Sequence, residues 1–451
     1  MDCKNKNVLV LGIARSGVAA ANLLAEEEAN VTLADIKPEE KLKEILEKVD
    51  KKVKIITGRN PEEEALIQDL IVLSPGVPAD LEYIEKARKA GVKVIGEFEL
   101  ASRFCKAPIM AVTGTNGKTT TTAMLYEIAR DYNPLSEVVG NIGIAFSEKA
   151  KGISESGICV AEVSSFQLET AEDFNPKVAA VLNLTPDHLD RHNGFKNYVD
   201  VKSKIFDNHQ KSDFLILNYD DINCRELAEK AKSKVLYFSR SIFDVYGIYL
   251  KDNIFYLNID DETKQLFSIH ELNIVGSHNY ENTMAAVLMA YCMGIPMENI
   301  IQSVKNFRAV AHRIEYVRTV NGVEYYNDSK GTNPESAIKA IEAMDRPIFL
   351  IGGGYNKGSD FSLWVKSFKN KVKKLYIIGE VSDILEKTCL NHKFYDYEKI
   401  DGFENAVLKA AQEAGNGDVV LLSPACASWD MFESYEVRGE LFKTLVNGLA
   451  E

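Results

Sequence analysis

The chain has 451 residues, 46% of them hydrophobic and 26% charged, and a formal net charge of −13. That length exceeds one ordinary domain and suits about three, with enough apolar content for a substantial core. The acidic balance argues against nucleic acid as the main partner, which calls for a basic face, and leaves room for a local basic cleft around a phosphorylated substrate.

Seven scattered cysteines without a C-x-x-C pair fit a reducing compartment better than a disulfide framework or a structural zinc site. The opening "MDCKNKNVLVLG" lacks the long apolar segment and cleavage site of a signal peptide. No stretch approaches the ~20 apolar residues of a spanning helix. The expectation is a cytoplasmic, monomeric protein with no nucleic-acid or membrane partner.

In chain order, residues 1–96 alternate short apolar runs with helical patterns. "NVLVLG", "NVTLAD", "VKIITG" and "DLIVLSPG" read as strands and "SGVAAANLLAEEEA" as an amphipathic helix, which predicts a parallel sheet covered on both sides. Gly12 and Gly17 hold the first and third places of a dinucleotide fingerprint, but Ala14 replaces the middle glycine that lets backbone approach a pyrophosphate. Asp35, ending the second strand, either meets a ribose or is an ordinary strand-end aspartate.

Residues 97–309 carry "MAVTGTNGKTTTT", an apolar strand, a glycine turn and a helix opened by lysine and threonines. The strict phosphate-loop pattern wants glycine at Val112; here Gly114 opens the turn instead. Gly114, Thr115, Asn116, Gly117 and Thr120 would surround phosphate oxygens with backbone N–H groups, Lys118 would reach the outer phosphates, and the Thr119 hydroxyl would bind Mg²⁺. Glu162 and, in "TPDHLD", Asp187 and His188 end later strands, where Glu162 and His188 could share a second Mg²⁺. "NKGSD" is one residue too long for guanine recognition. Residues 245–275 predict a small antiparallel sheet, and "SHNYENTMAAVLMAYCMG" a helix ended by Gly294 and Pro296.

In the helix "FKNYVDVKSKIF", Lys202 occupies the apolar stripe of Phe195, Tyr198, Val199, Ile205 and Phe206. A buried lysine loses its charge and can then form a carbamate with carbon dioxide; alternatively it snorkels to solvent. In residues 310–451, "VEYYNDS", "RPIFLIGGG", "KKLYIIGE" and "DVVLLSPA" predict strands. "NDSKGTNP" leaves Asp328, Lys330 and Thr332 exposed in a turn, and Lys357, Ser423, Ser428 and Tyr435 follow other strands. Together these groups suit a carboxylate-bearing substrate.

"TGTNGKTT", "GNIG", "EVSSFQLE", "LTPDHLDRH", "VKSKIF", "GSHNYEN", "HRIE", "NDSKGTNP" and "SPACASWD", in this order over essentially the whole chain, resemble the Mur ligases of peptidoglycan synthesis. The resemblance implies a three-domain α/β protein: a Rossmann-like UDP-binding domain (1–96), a central P-loop ATPase-like ligase domain with a small antiparallel sheet (97–309) and a Rossmann-like amino-acid-binding domain (310–451). It implies an ATP- and Mg²⁺-dependent ligase joining D-glutamate to UDP-N-acetylmuramoyl-L-alanine. Arg15, Ser16, Asp35, Ile36, Lys37, Ser74, Gly76 and Asn141 would hold the UDP-substrate. Gly114 to Thr120 would hold the ATP phosphates, and Asn279, Asn282, Arg313 and Asp328 the adenosine side. Thr119, Glu162, His188 and carbamylated Lys202 would organise the metal, and Lys330, Thr332, Lys357, Ser428 and Tyr435 would hold D-glutamate. Lys118, His188, Lys202 and Lys330 are the expected catalytic group.

Rivals are a sister ligase adding another amino acid, which should differ at "NDSKGTN", and a folylpolyglutamate-synthase-like ligase, which should lack the N-terminal module. An ATP-driven switch or a dinucleotide-linked oxidoreductase would leave the third segment unexplained.

Overall fold

The structure, a computed structural model, describes residues 1–141, 144–260, 262–308, 310–369 and 371–450. The last two residues of "GNIG" lie outside them. The chain divides into two compact units, residues 1–271 with 281–305 and residues 272–280 with 306–451.

The first unit holds two sheets. The N-terminal one comprises β1 (Asn7–Leu11), β2 (Asn30–Asp35), β3 (Lys54–Thr57), β4 (Leu70–Leu73) and β5 (Lys93–Gly96), all parallel in the order β3-β2-β1-β4-β5. Every residue of "LIVL" in β4 is buried, as expected where helices cover both faces of a parallel sheet. The strand order reverses between β1 and β4, so the turns after them open side by side, which is where such sheets take ligands.

The central sheet comprises β6 (Ile109–Thr113), β7 (Glu137–Gly140), β8 (Cys159–Glu162), β9 (Val178–Val181), β10 (Phe214–Asn218), β11 (Lys234–Ser239), β12 (Gly247–Lys251), β13 (Ile254–Ile259) and β14 (Glu262–Ser268). Its order is β14-β13-β12-β11-β10-β9-β6-β8-β7. β6 lies between β8 and β9, so three carboxyl ends, Thr113, Glu162 and Val181, meet on one edge. The antiparallel strands expected over 245–275 form, but not as a separate small sheet. β12 pairs in parallel with β11, and β13 and β14 extend the same sheet antiparallel from there.

The second unit carries β15 (Glu315–Val320), β16 (Val323–Asn327), β17 (Ile348–Gly353), β18 (Val372–Ile378), β19 (Tyr397–Lys399) and β20 (Val419–Leu422), in the order β15-β16-β20-β17-β18-β19. All neighbours are parallel except β15 and β16.

Behind β5, the helix Glu97–Ser102 buries two acids. Glu99 accepts backbone N–H bonds from Glu172, Asp173 and Phe174 at 3.1, 3.2 and 3.1 Å and pairs with Arg103 Nε at 2.6 Å. It holds the loop that leads to β9 against the core around Phe98 and Phe174, whose rings sit 4.9 Å apart. Removing the carboxylate strands these donors, so Glu99→Ala should cost the first unit on the order of 3 kcal/mol. Urea unfolding followed by circular dichroism checks this; a loss under about 1 kcal/mol would contradict the clamp.

Candidate active site

The glycines after β1 have geometric duties. Gly12 has φ +95°, and a Cβ on Gly17 would lie 1.9 Å from Gly12 O and 2.7 Å from Ser74 Oγ, so the helix Arg15–Glu26 packs as closely as a third fingerprint glycine allows. Ser74 Oγ donates to Gly12 O at 3.0 Å, joining the two turns at the strand reversal. Asp35 accepts from Ile13 N at 2.8 Å and Lys37 N at 2.9 Å, so its carboxylate shapes the rim. Arg15, Lys37 and Gly76 are exposed there and Ser16 is half-buried, while Ile36 is 66% exposed. Asn141 lies elsewhere, donating to Glu162 Oε1 at 2.8 Å on the edge of the central sheet.

At that edge Gly114 and Gly117 have φ +150° and +86°, and a Cβ on Gly117 would meet Asn282 Oδ1 at 2.3 Å. Only glycine serves both needs. The helix Lys118–Tyr132 starts at the turn. Lys118 Nζ folds back to donate to Gly114 O at 2.8 Å and Thr115 O at 2.9 Å. Asn116 exchanges two bonds with Asn183, 2.7 and 3.1 Å, and Thr121 reaches Asn282 at 3.3 Å. Thr119 is half-buried and Thr120 buried.

Lys202 does not snorkel. It is 1% exposed and donates from Nζ to Thr113 Oγ1 at 3.2 Å and Gly114 O at 2.9 Å. Burial pushes its pKa well below the ordinary lysine value, reinforced by the Lys118 charge and opposed by Asp187 and Glu162. Glu162 is buried and, among the described residues, its Oε2 has no hydrogen-bond partner. His188 has φ +50°, is exposed, and packs on Phe166 at 4.9 Å between ring centroids. Among the described residues, no three His, Cys, Asp or Glu side chains gather as a metal cage. A buried carboxylate oxygen with no partner among the described residues suits Mg²⁺, which takes few protein ligands and completes its shell with phosphates and water.

The second unit corrects the expected turn. Asp328 is not exposed but 4% accessible, accepting from Ser423 Oγ at 2.7 Å and Ile314 N at 3.3 Å. It closes β16 against the end of β20, which its place in a polar motif did not reveal. Ser423 and Ser428 are buried too, and Lys330, Thr332 and Tyr435 are half-buried. Lys330 Nζ lies 5.6 Å from the Tyr435 ring centroid, and Lys357 Nζ 4.6 Å from that of Trp429. The "NDSKGTNP" and "SPACASWD" loops are joined by Arg438, which donates to Ser329 Oγ and O, both at 2.9 Å, and to Cys426 O at 3.2 Å. Arg313 and Asn279 also belong to this unit, where Asn279 Nδ2 donates to Val275 O at 2.7 Å.

Sequence reasoning missed three contributors. Tyr198 counted only as apolar, yet its hydroxyl bonds Thr115 Oγ1 at 3.0 Å. Arg191 pairs with Glu169 at 2.7 Å and reaches Val77 O at 3.4 Å. Arg438 is fully buried inside an amphipathic helix, and no pattern marks it.

Burial raises the Asp328 pKa from 3.8 to about 7. The folded carboxyl therefore keeps its proton where the unfolded one has lost it. Its contribution to stability falls as pH rises from about 4 to 7, by up to about 4 kcal/mol. Asp328→Asn should flatten that decline in urea unfolding measured at about pH 5 and pH 8; an unchanged slope would refute the assignment.

Comparison with known proteins agrees with this geometry. Three family models match in order: the Mur ligase MurD-like N-terminal domain at residues 6–96, the Mur ligase middle domain at 112–290 and the Mur ligase glutamate ligase domain at 312–426. A UDP-N-acetylmuramoylalanine–D-glutamate ligase of Lachnospira eligens is 47% identical, and one of Clostridioides difficile 44%, each covering 100% of both chains. Among solved structures, a MurF ligase of Thermotoga maritima in complex with ADP superposes with a TM-score of 0.61 at 18% identity, covering 93% of this chain and 95% of its own. A UDP-N-acetylmuramate–alanine ligase of the same organism gives 0.60 at 17%, covering 98% and 99%. The ordered family matches and the full-length relatives place this chain in the Mur ligase family.

Proposed function

We infer that the chain is an ATP-dependent ligase that adds D-glutamate to UDP-N-acetylmuramoyl-L-alanine, the reaction named for its full-length relatives. The observation that carries the chemistry is the loop Gly114–Thr119 lying over the buried Lys202 amine and beside Glu162, whose Oε2 has no partner among the described residues.

The alanine carboxylate attacks the γ-phosphorus of ATP and the bridging oxygen leaves with ADP, giving an acyl phosphate. The D-glutamate amine then adds to the acyl carbon, loses a proton, and expels phosphate as the amide forms. Both steps bring anions together, so they need positive charge and N–H donors at fixed positions. Lys118 and the loop backbone serve the phosphates. Thr119, Glu162, His188 and Lys202 as its carbamate would hold Mg²⁺, which when bound would neutralise charge on the phosphoryl oxygens. Carbamylation replaces an amine that burial disfavours as a cation with an anion suited to a metal. The family motifs assign Asn279, Asn282, Arg313 and Asp328 to the adenosine side.

Arg15, Ser16, Asp35, Ile36, Lys37, Ser74 and Gly76 on the β1–β4 rim, with Asn141 toward the muramoyl end, are assigned to the UDP-substrate. Lys330, Thr332, Lys357, Ser428 and Tyr435 are assigned to D-glutamate, Lys330 and Lys357 meeting its carboxylates. The domain boundaries in this reading are 1–96, 97–309 and 310–451.

Phosphate release from ATP with UDP-N-acetylmuramoyl-L-alanine and a panel of amino acids tests the reading. Strong dependence on D-glutamate is expected; release only with another amino acid would assign a sister ligase. Lys202→Ala should lower kcat by about 100-fold or more, with partial rescue by short carboxylates. Full activity of this variant without rescue would remove the carbamate from the mechanism.

A further inference from the structure

Beside the N-terminal rim, a cavity of about 530 Å³ lies between the helix Arg15–Glu26 and the segment after β7. Its volume is that of a small-molecule site. Ala19, Leu23 and Ile45 give it an apolar wall, and Arg15 and Lys48 line it with side chains that form no hydrogen bond or ion pair among the described residues. A third cation, Lys151, is already answered by Glu26 at 3.1 Å and Glu27 at 2.7 Å. With Glu148 and Glu26, the lining carries three cations against two carboxylates. Ser147, also in the lining, is buried; its N–H is held by Glu97 at 2.8 Å and its hydroxyl stabilises the same buried carboxylate. Arg15 is attracted by the buried Glu97 without a direct hydrogen bond, and two cations with no hydrogen bond or ion pair among the described residues, set against an apolar wall, are the elements of a ligand site; the cavity stands apart from every group assigned above except Arg15.

We propose that this cavity binds a small organic monoanion with an aromatic or aliphatic body, its charge met by Arg15 and Lys48 and its body lying on Ala19, Leu23 and Ile45. Free phosphate lacks the apolar body and a neutral arene lacks the charge, so neither satisfies both walls. Arg15 is shared with the rim assigned to the UDP-substrate. Occupancy of the cavity therefore withdraws a guanidinium from that rim and weakens substrate binding, a consequence that rests on the ligase reading. Such coupling is reciprocal: each ligand weakens the other by the same factor.

Calorimetric titration of the full chain with 1-naphthoate, 1-naphthamide and inorganic phosphate tests the site. Saturable one-to-one binding of 1-naphthoate is expected, with 1-naphthamide weaker by about tenfold or more. Lys48→Glu and, independently, the cavity-filling Ala19→Phe should each weaken 1-naphthoate binding by about tenfold or more while leaving the circular dichroism spectrum and D-glutamate-dependent phosphate release intact. Absent binding, or binding that neither folded variant alters, overturns the site. UDP-N-acetylmuramoyl-L-alanine should weaken 1-naphthoate binding, and saturating 1-naphthoate should raise the KM for that substrate but not for D-glutamate; unchanged values overturn the coupling. Failure of the ligase reading would appear separately, as no phosphate release from the untreated wild-type chain.

Discussion

Lys202 has its amine under the glycine turn after β6, with Thr113 Oγ1 and Gly114 O as its hydrogen-bond acceptors. A primary amine in that position cannot keep its proton cheaply, because burial removes the water that would stabilise the ammonium. The surrounding chain answers this constraint. The turn above it is built from glycines at positive φ, Tyr198 on the same helix braces Thr115, and Asp187, Glu162 and Cys224 nearby favour the charged form against burial and the Lys118 charge. A lysine whose charged form burial disfavours is poor as a cation and apt for conversion to an anion.

Strand order makes that juxtaposition possible. β6 is central, and the chain returns to it on both sides through β8 and β9. The Gly114–Gly117 turn, Glu162 and the Asp187–His188 segment thus arrive at one edge from residues far apart in sequence. The N-terminal sheet reverses in the same manner between β1 and β4, where Ser74 Oγ meets Gly12 O. In the second unit Arg438 does by hydrogen bonding what strand order does elsewhere, gripping backbone carbonyls of two loops with a fully buried guanidinium. Such a group is costly to bury and is held by the number of acceptors it finds.

Legibility in the sequence followed the physics of each signal. Parallel, doubly covered strands such as "LIVL" and "CVAE" read as uninterrupted apolar runs and were visible, as was the helix Ser277–Cys292 with its glycine and proline stop. Short or edge strands were not: β15 is largely half-buried or exposed, and β19 spans three residues, so neither carries much apolar pattern. The polar letters of "NDSKGTNP" suggested an exposed turn, but Asp328 is buried because Ser423 arrives from β20, a contact between residues 95 apart in sequence. Lys202 shows both sides. Its place in the apolar stripe was visible, while its burial depended on Tyr198 and the β6 turn closing over it.

The chemical state of Lys202 decides the chemistry of the site. Carbon-13 NMR of the protein equilibrated with labelled bicarbonate measures it directly. A protein-bound carbamate resonance that disappears in Lys202→Gln is the predicted result; a spectrum identical in the two proteins, with the wild type fully active, would contradict the account.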